Sequence, residues 1–142
     1  MDADLVIEIT DTPAETDRSE LRERLYEYNA ERTGYRDGRS LSCFLRDEDG
    51  RLVAGLDGFT WGGYARIESL WVDEALRGRG LGRRLLAEAE REAVARGCVT
   101  VVVDTHEFQA TALYPSLGYE LVGTTHDTPV DYRQFLFQKR LS

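Results

Sequence analysis

Hydrophobic and polar positions along the 142-residue chain switch between a strand period and a helix period. Residues 5–9 form a short apolar run that predicts a first strand. Pro13 stands at a helix start, and Asp17-Arg18-Ser19-Glu20 has the spacing of a capping box with aspartate as the cap. Leu21, Leu25 and Tyr28 fall on one helical face, and Gly34 stops that helix. Residues 41–46 and 52–60 predict two strands joined by the hairpin connection Asp47-Glu48-Asp49-Gly50. Gly62-Gly63 turns the chain into a third strand, 65–72, which carries Glu68 in its interior.

Leu81, Leu85, Leu86, Ala89 and Ala93 then repeat at helical spacing. Arg84 and Glu88 form an i,i+4 charge pair on the outer face, and Gly97 closes the helix. Residues 100–104 are β-branched without polar alternation, which suits a strand buried on both faces. The path from 65–72 through a helix to 100–104 is a crossover to a parallel neighbour. A short helix over 110–117 follows, and 119–124 and 133–139 close the chain as two antiparallel strands. The order β-α-β-β-β-α-β-α-β-β predicts an α/β (α+β) fold, with a mixed central sheet of about six to seven strands flanked by helices. There is no repeat, low-complexity segment or linker, so residues 1–142 read as a single domain.

Composition narrows the function classes. With 42% apolar and 31% charged residues the chain reads as soluble and globular. No apolar run is long enough to span a bilayer, so no membrane partner is expected. Met1-Asp2-Ala3-Asp4 has the features of neither a signal peptide nor an amphipathic presequence, and a cytoplasmic location is expected. A net charge of −8 argues against nucleic acid as a partner. Cys43 and Cys98 are far apart and read as buried thiols. His106 and His126 lack ligand spacing, so no metal is expected.

The chemistry concentrates in Arg77-Gly78-Arg79-Gly80-Leu81-Gly82, between the third strand and the following helix. Alternating glycines let backbone approach a ligand. The first N–H groups of the helix lack intrahelical partners and favour an anion. The pattern predicts a pyrophosphate cradle. A dinucleotide-binding fingerprint spaces its glycines GxGxxG after the first strand of a βαβ unit. Here the third glycine is misplaced and an antiparallel meander comes first.

The loop matches the Gln/Arg-x-x-Gly-x-Gly/Ala signature of the GNAT superfamily of N-acetyltransferases, which the chain resembles. Glu68-Ser69-Leu70-Trp71-Val72-Asp73 is similar to the family's acetyl-CoA-binding strand. Ala112-Leu113-Tyr114-Pro115-Ser116-Leu117-Gly118-Tyr119 resembles its "LYxxLGF/Y" segment.

The resemblance implies acetyl-CoA as co-substrate, with its phosphates on the backbone of Arg77, Gly78, Arg79, Gly80, Leu81 and Gly82. Arg77 or Arg79 could also reach a phosphate through the side chain. It implies pantetheine contacts from Leu70, Trp71 and Val72, where the family's strand parts from its parallel neighbour, often at a bulge. A backbone N–H near Leu70 would polarise the thioester carbonyl. Tyr114 matches the family's acid. Glu68 is the candidate base, sharing a face with Leu70 by alternation. Asp104, His106 and water remain alternatives. The family's coenzyme-contacting asparagine falls on Glu107, and Gln109 carries the matching amide two residues later.

The implied activity is transfer of acetyl to a primary amine of a small molecule or peptide by direct attack, since neither cysteine falls on a motif. The alternative is a non-catalytic acyl-CoA sensor or interaction module of the same fold. The acceptor site is expected at the first helix and the strand ends, where Tyr26, Tyr28, Phe44, Trp61, Tyr64 and Trp71 are available. A homodimer is compatible with the resemblance, through pairing of the closing strands across chains.

Overall fold

The computed structural model describes residues 4–141, so Met1-Asp2-Ala3 of the acidic start lies outside the described residues. The chain divides into two compact units, 1–35 and 36–142.

The first unit carries α1 (Glu15–Thr33). The helix begins two residues before the expected cap. Ala14 is the N-cap, without a side-chain hydrogen bond, and Glu15 and Asp17 lie in the first turn. Gly34 ends the helix in the left-handed conformation at φ 82°, its N–H donating to Ala30 O. The strand expected at 5–9 does not form, and Leu5, Val6, Ile7 and Ile9 are 75–96% exposed. Among the described residues of this unit no other strand forms to pair with it, and an isolated strand leaves its backbone groups without a ladder.

The second unit contains β1 (Arg39–Arg46), β2 (Leu52–Trp61), β3 (Tyr64–Val72), a 3-10 turn (Glu74–Leu76), α2 (Leu81–Ala95), β4 (Thr100–His106), α3 (Leu113–Ser116), β5 (Glu120–His126) and β6 (Arg133–Arg140). They form one mixed six-stranded sheet in the order β1-β2-β3-β4-β6-β5. β3 and β4 are the parallel pair joined by the α2 crossover, and the other neighbours are antiparallel. The final strand inserts between β4 and β5.

α2 packs on β1, β2 and β3. Its stripe of Leu85, Leu86, Ala89 and Ala93 is buried against Leu41, Leu56, Ile67, Val101 and Val103. Leu86 and Ile67 are fully buried, a position where truncation to alanine costs about 2–5 kcal/mol. Glu88 pairs with Arg91 one turn on rather than with Arg84, because the i,i+3 position is equally close on a helix surface. The helix expected over 110–117 shrinks to four residues. The preceding loop is held by Gln109 N–H to His106 O and Thr111 N–H to Gln109 O, and Gly118 at φ 92° turns the chain out into β5.

Cys98 is buried and Cys43 half-buried, both as free thiols whose pKa is raised, chiefly by burial. Among the described residues no group of three or more metal-ligating side chains forms. None of their helices is long and apolar enough to cross a membrane.

Candidate functional site

The parallel pair β3–β4 is in register only from Tyr64↔Thr100 to Ile67↔Val103. Across the other edge of β3, the pairing with β2 steps from Gly58↔Ile67 to Asp57↔Ser69, leaving Glu68 as the extra residue of a β-bulge. The two irregularities coincide. Beyond Ile67 the β3 backbone has no ladder partner on β4, and the strands part. Gly58 permits this geometry, since a Cβ there would lie 2.0 Å from Arg66 O.

The bulge changes side-chain parity. Ala65 and Ile67 face the core before it, whereas Leu70 and Val72 pack against the core after it. Glu68 therefore does not share a face with Leu70. Strict alternation fails because the extra residue adds one step. Glu68 is exposed, and Arg66 pairs with Asp104 at 3.3 Å.

A cavity of about 810 Å³ opens where the strands part. β3 contributes Ile67, Glu68, Ser69, Leu70, Trp71 and Val72, and β4 contributes Val103, Asp104, Thr105 and His106. The loop and the start of α2 contribute Arg77, Gly78, Gly80, Leu81, Gly82 and Arg83. Phe108, Gln109, Leu113, Tyr114 and Gln134 complete much of the wall. Of the expected catalytic residues Tyr114 and Glu68 and the expected coenzyme contacts at 70–72, 77–82 and Gln109, only Arg79 is not part of the lining. Of Phe44, Trp61, Tyr64 and Trp71, only Trp71 lines it, at 47% exposure.

Gly78 and Gly80 adopt φ 80° and 78° with open space around them, so their role is conformational. α2 has no side-chain cap, and its first backbone bond runs from Arg84 N–H to Gly80 O. The N–H groups of Leu81, Gly82 and Arg83 thus lack helical partners at the cavity wall. Arg77 is partly committed, with Nε donating to Val72 O at 3.1 Å and fastening the loop to β3. Arg83, given no site role by the sequence, lines the cavity and donates to Ser116 Oγ at 2.9 Å. Its signal was its place in the first turn of a helix that begins in the glycine loop.

Tyr114 is 5% exposed and stacks on Phe137 and edge-on to Tyr119. Burial, aided by the charge of Asp104, pushes its pKa up to about 12. The hydroxyl has no partner among the described residues, yet no fully buried side-chain polar atom among them is unpaired. It therefore opens onto the cavity.

Asp104 is engaged through both oxygens, Oδ1 with Arg66 and Oδ2 accepting from Gln134 Nε2 at 3.1 Å. Gln109 Oε1 accepts from Thr105 Oγ1 at 2.9 Å and from His106 N–H at 2.7 Å, which leaves its amide NH2 to donate. Glu107 is tied to Arg133 and is not part of the lining. Hydrogen bonds from the Arg133 backbone and guanidinium hold its carboxyl below the usual range. Of the two candidates for the amide position, Gln109 is the one at the cavity.

A sheet whose parallel central strands part beside a glycine-arginine loop, with unpartnered helix N–H groups at the opening, defines an α/β protein with a cavity whose lining suits an anion. The chain belongs to the acetyltransferase (GNAT) family, whose family model matches residues 5–119. It is 38% identical over 104 residues to "Acetyltransferase Atu2258" of Agrobacterium fabrum, covering 73% of this chain and 76% of that one. It is 36% identical over 114 residues to "Blasticidin-S acetyltransferase" of Streptomyces morookaense, covering 78% and 84%. A crystal structure of an Agrobacterium tumefaciens protein described as a putative acetyltransferase superposes with a TM-score of 0.86 at 31% identity, over 96% of this chain and 99% of that one.

Proposed function

We propose that this chain is an acetyl-CoA-dependent N-acetyltransferase acting on a primary amine of a small molecule or peptide. The observation that carries the reading is the parting of β3 from β4 at the Glu68 bulge, beside the free N–H groups of α2. Acetyl-CoA supplies the activated thioester. The N–H groups of Leu81, Gly82 and Arg83 bind its pyrophosphate, with Arg83 or Arg77 as the cationic neighbour. The edge of β3 over Leu70, Trp71 and Val72 that is turned away from β2, and has no ladder partner on β4, takes the pantetheine as an extra strand, and a backbone N–H near Leu70 stabilises charge on the thioester oxygen. The Gln109 amide donates to the same arm.

The amine attacks the thioester carbon directly, since neither Cys43 nor Cys98 lines the cavity. The C–N bond forms, the tetrahedral adduct collapses, and the C–S bond breaks. Tyr114 stays protonated throughout the working range and donates a hydrogen bond to the departing sulfur. The family match spans residues 5–119 and so supports a single acetyltransferase domain across both compact units. A homodimer belongs to the same reading: β5 is a sheet edge with Leu121 and Val122 half exposed, and an open edge invites a strand from a second copy.

Free-thiol release from acetyl-CoA with a panel of amines tests this, with blasticidin S as first probe because of the Streptomyces relative. Turnover with at least one amine is expected. Acetyl-CoA binding without turnover on any amine would instead mark a sensor. No rise in melting temperature at saturating acetyl-CoA would refute the cradle itself.

A further inference from the structure

Three carboxylate or imidazole groups reach the cavity as candidates to deprotonate the acceptor, and their surroundings differ. Asp104 is held through both oxygens by Arg66 and Gln134. Glu68 stands on the bulge, exposed, with no ion pair of its own among the described residues. His106 ends β4 at the cavity wall, and its Nδ1 lies 2.8 Å from Thr128 O. A carbonyl oxygen only accepts, so Nδ1 carries the proton and donates it. Nε2 is then left with its lone pair.

The tautomer is built in, not incidental. Thr128 is fixed by its own N–H to Tyr132 O, and Tyr132 N–H donates to Pro129 O, so the β5–β6 loop presents its carbonyl rigidly. The ring is also clamped in plane. Phe108 stacks on it at 5.2 Å and 4°, and Tyr132 meets Phe108 edge-on. The backbone N–H of His106 is satisfied by Gln109 Oε1.

We infer that His106 Nε2 is the general base for the acceptor amine, which rests on the acetyltransferase reading above. Nε2 takes one proton from the substrate ammonium, and the neutral amine forms the C–N bond. The resulting imidazolium later releases its proton to solvent. The second nitrogen proton balances the one gained by the departing sulfur, and one proton is released per turnover. Charged and titratable groups around the ring are already compensated: Asp104 by Arg66, and Glu107 by Arg133. Glu68, Tyr114 and Tyr132 flank the cavity or the clamp, and His126 sits opposite Arg133 on β5.

The test uses the 142-residue chain, with nitrogen-15 NMR of the imidazole and kinetics on the amine that turns over in the screen, blasticidin S first. The wild type should show the Nδ1–H tautomer of His106; the opposite tautomer overturns the assignment whether or not an acceptor is known. His106→Gln should lower kcat about 100-fold or more, leave the melting-temperature rise given by acetyl-CoA intact, and abolish the acidic limb of the kcat/KM profile. Added imidazole should partly restore His106→Ala. An unchanged rate and acidic limb in His106→Gln refute the base while leaving the acetyltransferase reading standing. Failure of the wild type itself to turn over any amine refutes both.

Discussion

Tyr114 joins two properties that pull in opposite directions. Its ring is core, stacked on Phe137 and edge-on to Tyr119, while its hydroxyl opens onto the cavity. Burial raises the phenol to about 12, well above a thiol's usual value of about 8.5. Full transfer of its proton to a thiolate is therefore uphill, and a strong hydrogen bond to the developing charge is the contribution available. Such a bond is worth about 1.5–3 kcal/mol, roughly 10- to 100-fold in rate. Tyr114→Phe should lose that factor in kcat while leaving acetyl-CoA affinity within twofold, as read by thiol release and by thermal shift with acetyl-CoA. Because the hydroxyl has no partner to orphan, the melting temperature of the variant at neutral pH should change little. An undiminished kcat would remove Tyr114 from the chemistry. At this scale the motifs pointed to Tyr114, Gly80 and Gly82, and all three line the cavity. The sequence was silent on Arg83, Phe108 and the Thr128 carbonyl, whose roles come from long-range placement that no local spacing encodes.

At the scale of elements, the bulge at Glu68 is the decisive device, and Gly58 on the neighbouring strand makes it affordable. A Cβ at Gly58 would sit 2.0 Å from the Arg66 carbonyl oxygen and 3.0 Å from its carbon, which is backbone and cannot swing aside. Gly58→Ala must therefore shift β2 against β3 exactly where β3 leaves β4. A destabilisation of about 1–3 kcal/mol or more is expected by denaturant melts, together with weakened acetyl-CoA binding by calorimetry. Gly78→Ala is the contrasting case: the space around it is open, and only the φ of 80° is strained. It should weaken coenzyme binding with a smaller loss of stability. Equal and negligible effects from both would detach the bulge from the site. Alternation along 65–72 read straight through Glu68, so the extra residue and the resulting flip of Leu70 toward the core stayed hidden. The glycine that permits it lies on another strand. The meander, the crossover helix and the closing hairpin were legible, because each is set by local periodicity and turn residues. The run at 5–9 misled for the converse reason: apolar composition supplies a strand's side chains but not its ladder partner.

Across the folded sheet domain, buried phenols couple stability to alkaline pH. Tyr114 is raised to about 12, and Tyr119 is raised further, by burial first and then by the charge and hydrogen bond of Glu90. Glu90 also receives Lys139 Nζ at 2.7 Å, so one carboxylate serves the strand-end tyrosine and the chain's single lysine. An unfolded tyrosine ionises near 10. Above that pH the unfolded chain binds fewer protons than the folded one, so stability falls as pH rises. The stabilisation is fully present below about pH 10 and is lost as pH climbs through the folded values. Tyr114 alone accounts for roughly 2–3 kcal/mol of that loss by pH 12. Urea melts at pH 9, 10.5 and 12 should show a steepening decline. Tyr114→Phe should lose less stability than the wild type over the same interval, because phenylalanine has no proton to release. A parallel decline in both proteins would place the alkaline sensitivity elsewhere, with the Tyr114 phenol at its ordinary value of about 10.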